Sequence, residues 1–128
     1  MFIKILSVFA LFLQLSTTAQ DISFHASPFT STTTPAVPSV MEIKVVIADQ
    51  KVLLNWKAEE NQLINLFEIE KSADGKNYRL AALVFGTDKS AAEDYQFFEK
   101  NTGKKMTYRV KILSKDKQIY YSAPVTAG

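Results

Sequence analysis

Cysteine is absent from this 128-residue chain. That absence excludes disulfides, a lipid-modified N-terminal cysteine, thiolate chemistry and any cysteine-based zinc site. Small exported domains often use disulfides to offset a thin core, so here packing and backbone pairing must suffice. Histidine is nearly absent too: the chain has one, His25, in a stretch that reads as a tail. A His-bearing catalytic triad or a multi-histidine metal site would have to be built on that tail. No Asn-x-Ser/Thr sequon occurs, and no glycine-rich phosphate loop. Charge of one sign is also lacking. The 15 basic residues face 13 acidic ones, for a net charge of +2. Such balance argues against nucleic acid as a partner, since that needs a clustered basic footprint.

What the chain does have begins at its N-terminus. Lys4 supplies an early positive charge, and Ile5 to Leu13 form an apolar core. Gln14 to Thr18 is more polar, and Thr17 and Ala19 fit the minus-three and minus-one positions of a signal-peptidase site. A membrane-spanning helix needs about 20 apolar residues in a row, and Gln14 interrupts the run well short of that. Residues 1–19 therefore read as a cleaved signal peptide, and no membrane span is expected after its removal. The expected localisation is secreted or periplasmic.

Residues 20–39 contain Ser27-Pro28, the run Thr30 to Pro35, and Pro38. Small hydroxylated residues bury little and prolines remove donors, so the stretch reads as a Ser/Thr/Pro-rich spacer. A glycosylated stalk has the same composition, and the plain spacer is the simpler reading.

From residue 40 to 128 the pattern is that of one domain. Met41, Ile43, Val45 and Ile47 alternate with Glu42 and Lys44, the period of a half-buried strand. Asp49-Gln50 is a turn, and Val52, Leu54 and Trp56 alternate on a second strand. Ala58 to Leu66 is expected to be a long loop with one helical turn. Phe67 and Ile69 alternate with Glu68 and Glu70. Ala73 to Asn77 is a turn in which Gly75 takes positive φ. Tyr78 to Phe85 is a fourth strand whose parity Ala81-Ala82 blurs, as a bulge would. Tyr95-Gln96-Phe97 is a fifth and Met106 to Ile112 a sixth. Gln118 to Val125 closes the set, with Pro124 suited to an edge or strand end. Seven short strands with regular turns indicate an all-β, immunoglobulin-like sandwich.

Trp56, the run Phe67 to Tyr78, Tyr95-Gln96-Phe97, Tyr108-Arg109 and Tyr121-Ser122 form an ordered set. The set resembles fibronectin-type-III-like domains of exported bacterial proteins, over roughly Val40 to Val125. The resemblance implies a seven-stranded sandwich that acts by binding. Such domains are frequent in proteins exported by the type IX route, often before a C-terminal sorting domain. This sequence ends at Gly128 without one, so a simple Sec-exported module is expected.

Individual residues sharpen the reading. Trp56 shares its face with Val52 and Leu54, so a core role is expected ahead of sugar stacking. Tyr108 is expected as a corner tyrosine that ties its hydroxyl to nearby backbone. The acidic pairs Glu59-Glu60, Glu68-Glu70 and Glu93-Asp94 do not face each other across a cleft, as a glycosidase would require. The loop Glu59 to Gln62 offers calcium-ligand types without firm spacing. No catalytic residue, metal or cofactor is therefore expected, and the chain is read as non-enzymatic. If the third and sixth strands are neighbours, Glu68 and Glu70 should face Arg109 and Lys111 across them. Tyr120 and Tyr121 point to opposite faces of the last strand, so only one can enter the core. The other joins Arg109 and Lys111 as a candidate binding surface.

The expected function is protein interaction or adhesion at the cell envelope, with an envelope or extracellular protein as partner. A carbohydrate-binding module would need at least two aromatic rings exposed on one face. An enzyme or its accessory unit would need a pocket with convergent polar groups.

Overall fold

The computed structural model describes residues 33–128, of which Thr34–Gly128 form one compact unit. The expected signal peptide, His25 and most of the expected spacer lie outside the described residues.

Among the described residues eight strands follow one another: β1 (Ser39–Ala48), β2 (Lys51–Glu59), β3 (Ile64–Ser72), β4 (Arg79–Phe85), β5 (Glu93–Lys100), β6 (Met106–Ser114), β7 (Ile119–Tyr121) and β8 (Val125–Ala127). They form two antiparallel sheets. The smaller has the order β1-β2-β5; the larger has the order β4-β3-β6-β7, with β8 also on β6. The described residues thus form an all-β sandwich, as their period-two pattern implied. No helix among the described residues is long and apolar enough to cross a membrane.

Alternation builds the core. Val52, Leu54, Trp56 and Ala58 of β2 face Phe67 and Ile69 of β3 and Tyr108, Val110 and Ile112 of β6, all buried. At its centre Trp56 stacks on Tyr95 with centroids 5.6 Å apart and meets Phe67 edge-on at 5.5 Å. Offset and edge-on pairs of this kind add about 0.5–1.5 kcal/mol each beyond their area. The Trp56 indole N–H has no acceptor among the described residues, a cost the ring's burial outweighs.

Local chemistry explains the connections. Asp49 and Gln50 both have positive φ between paired Ala48 and Lys51, the two-residue turn whose twist matches that of the strands. In the 73–77 turn, Asp74 accepts the Lys76 and Asn77 backbone N–H groups at 2.9 and 2.8 Å. Gly75 there has φ 73°, which a side chain would resist.

Several expectations need correction. The first-strand parity fails at Met41, which is 53% exposed, because the register shifts between Val40 and Glu42. Ile43 and Val45 do pack on the core, whereas Ile47, beside the turn on an edge strand, is exposed. The long loop expected over 58–66 is short: β2 runs to Glu59, β3 starts at Ile64, and a single 3-10 turn at Asn61–Leu63 joins them. The last strand is split, giving eight strands instead of seven. Ser122 bridges the gap between β7 and β8, its Oγ accepting the Val110 N–H at 2.9 Å. The expected bulge is present: Ile69 pairs Ala82 and Glu70 pairs Leu80, leaving Ala81 extra. The packed unit starts slightly before residue 40, since Ser39 is in β1 and Pro38 is buried.

Candidate functional site

The outward face of the larger sheet is assembled by register. Glu68 lies opposite Lys111 and Glu70 opposite Arg109, as the neighbouring third and sixth strands required. Both contacts are 2.6 Å, Lys111 Nζ to Glu68 Oε2 and Arg109 Nε to Glu70 Oε2. The hydrogen bond to Glu68 raises the Lys111 pKa above the ordinary lysine range, against a smaller opposing effect of burial. Partly exposed pairs like these stabilise by about 0.2–1 kcal/mol each. Their main consequence is that the face carries little free charge.

The candidate residues are brought together in part. On β7, Tyr121 pairs Lys111 and Tyr120 pairs Ile112. Tyr120 is half-buried against the core, so it is the tyrosine that turns inward. Tyr121 is 53% exposed and its ring centroid lies 4.4 Å from the Arg109 guanidinium carbon. Tyr78 covers the same guanidinium at 3.8 Å. Arg109 is thereby held by Glu70 and two rings, in the geometry of cation–π contact.

An apolar row crosses the same face. Phe85 pairs Leu66, Leu66 pairs Leu113, and Leu113 pairs Ile119. Phe85 is 72% exposed, and Leu80, Leu83 and Ile119 are each at least half exposed. Sequence reasoning missed this row and the part played by Tyr78. The bulge at Ala81 reverses the parity of β4, so Leu80 and Leu83 share a face that simple alternation denies them.

Tyr108 departs from its expected role. It is buried, but its hydroxyl donates to Glu99 Oε1 at 2.6 Å instead of to backbone. Glu99 lies at the end of β5, across the sandwich, and its second oxygen takes Lys71 Nζ at 2.7 Å. Burial first, then the bond to Glu99 and its charge, push the Tyr108 pKa well above the ordinary phenol range. The hydroxyl therefore stays protonated and donating. The loop considered for calcium is likewise engaged: Asn61 is buried, with its amide donating to the Ala58 and Ala91 carbonyls at 3.0 and 2.8 Å.

No family model matches the chain, and no curated protein matches it in sequence. Among solved structures it is similar to a beta-1,2-glucanase from Parabacteroides distasonis, with a TM-score of 0.50 and 20% identity. The likeness covers 73% of this chain but only 13% of the glucanase chain. At that identity it is a likeness of fold alone, an all-β sandwich that also occurs as a small part of a much longer protein.

Proposed function

We propose that this domain is a non-catalytic exported module of fibronectin-type-III-like type that binds a protein at the cell envelope. The strand order of the two sheets and the ordered motifs from Trp56 to Tyr121-Ser122 support the family reading. The apolar N-terminal run supports export. One observation carries the binding role: the larger sheet's outward face neutralises its own charges while leaving Tyr121, Leu83 and Phe85 exposed. Contiguous apolar surface with internally paired charge is characteristic of a face meant to be covered. Tyr121, held by Arg109, is its rigid anchor, beside Lys111.

The test is capture of partners from envelope extract by the full chain and by the variant Tyr121→Ser/Phe85→Ser. Both substitutions are on exposed positions, so circular dichroism should be unchanged while capture falls. Equal capture by the folded variant would place binding elsewhere. A second reading is supported by the glucanase likeness: an accessory domain in a carbohydrate-active enzyme, with Tyr78 and Tyr121 as the aromatic pair. Retardation of the protein in gels containing β-1,2-glucan, abolished by Tyr121→Ser, would favour it over a protein partner.

A further inference from the structure

Charge on this molecule is sorted by end. Where β2, β4 and β6 begin, the segments 49–52, 71–79 and 99–106 carry seven cations against three acids. At the opposite end, the segments 57–65, 86–94 and 115–118 carry four cations against six acids. A chain of net charge +2 thus has one basic end, a feature its composition conceals.

A cleft opens into that end between the two sheets, with a volume of about 390 Å³. Val52 and Met106 form its apolar wall, and Lys71, Glu99 and Tyr108 its polar floor. The one acid there is fully engaged, since Lys71 and the Tyr108 hydroxyl occupy its two oxygens. Glu99 therefore has little capacity left to attract a further cation. Arg79, Lys100 and Lys104 line the mouth. All three are exposed, and among the described residues none of them is in an ion pair. Three free cations at the mouth of a walled cleft, with Asn101 and Thr102 also lining it, are suited to an oxyanion. A low-dielectric wall strengthens their field beyond that of lysines scattered on an open surface.

We propose that the cleft between the sheets, gated by Arg79, Lys100 and Lys104, binds a sulfate, phosphate or carboxylate group of a ligand. The guanidinium of Arg79 supplies planar, two-pronged recognition, and the two lysines supply charge. The site is separate from the outward face proposed above and does not depend on it.

The isotope-labelled full chain would be titrated with sodium sulfate, sodium phosphate and sodium galacturonate, with ionic strength held constant by sodium chloride. Saturable shifts of the amide signals at 99–104 and Arg79 are expected. Arg79→Ala/Lys100→Ala/Lys104→Ala should weaken binding by about tenfold or more, with an unchanged circular dichroism spectrum because all three residues are exposed. Lys57→Ala/Lys117→Ala, at the opposite end, should bind as the parent does. Saturation by galacturonate alone would identify an anion carried on a sugar, and saturation by the inorganic salts a free one. Shifts that never saturate, or that the triple variant retains in full, would overturn the site.

Discussion

Each end of the sandwich holds a buried tyrosine, and the two hydroxyls are satisfied differently. At the end near the 3-10 turn, Tyr95 donates to Asn61 Oδ1 at 2.7 Å, while the Asn61 amide holds two carbonyls. The Thr87 N–H completes this neutral network by donating to the Tyr95 oxygen at 3.2 Å. At the other end Tyr108 donates to a carboxylate that is also held by a lysine. A neutral network can be buried whole once its donors and acceptors are matched. A charged one keeps part of its solvation, because full burial of ions is costly even when they are paired. The neutral network is therefore buried, with Asn61 and Tyr95 both inside the core, and the charged one borders a cleft.

Breaking the buried neutral network should have the largest effect. Asn61→Ala removes the donor to two carbonyls and the acceptor of Tyr95, in a site with no exposure. A loss of about 2–4 kcal/mol is expected, read from urea unfolding. A loss under about 0.5 kcal/mol, the range of ordinary surface changes, would show that water replaces the amide and that the two ends are alike. Tyr108→Phe at the charged end should cost less, about 1–2 kcal/mol. Glu99 keeps Lys71 and gains access to water through the cleft. If Tyr108→Phe proves the more damaging of the two, the contrast between the ends is reversed.

The smallest effect is local and concerns acid. Backbone hydrogen bonds from Asn77 and Lys76, then those from the Ser72 hydroxyl and the Asn77 amide, hold the Asp74 pKa far below the usual carboxylate range. A carboxylate whose pKa is depressed on folding contributes stability above its unfolded pKa and loses it as pH falls through the folded value. Amide exchange at Lys76 and Asn77 should therefore accelerate only under strongly acidic conditions, below the usual carboxylate titration. Asp74→Asn should make it faster at neutral pH and remove the dependence. Unchanged exchange in that variant would mean the turn is held by Gly75 and the flanking strands alone.

Legibility differed from element to element, for physical reasons. The cross-strand pairs Glu68–Lys111 and Glu70–Arg109 were readable because strand order and alternation together determine register. The inward turn of Tyr120 was not, because a two-residue alternation says that tyrosines 120 and 121 diverge without saying which faces the core. Met41 misled because a bulge shifts parity without any composition signal. On β4 the same device was foreseen at Ala81, yet its consequence, the exposed row ending at Phe85, became visible only with the partner strands in place. The acceptor of Tyr108 was equally hidden, since Glu99 reaches it from the other sheet.

By itself the sequence determined the class of fold and most strand positions. Period-two alternation, turn residues and the lack of cysteine act over a few neighbours, and those neighbours are adjacent in the chain. Only the tertiary structure decided which surfaces exist. The Tyr78–Arg109–Tyr121 stack, the apolar row across four strands and the basic cleft all join residues from strands far apart in sequence. Their properties depend on register and on which sheet lies opposite. Charge shows this most clearly: composition reports a near-neutral chain, and folding separates that charge into a basic end and an acidic one.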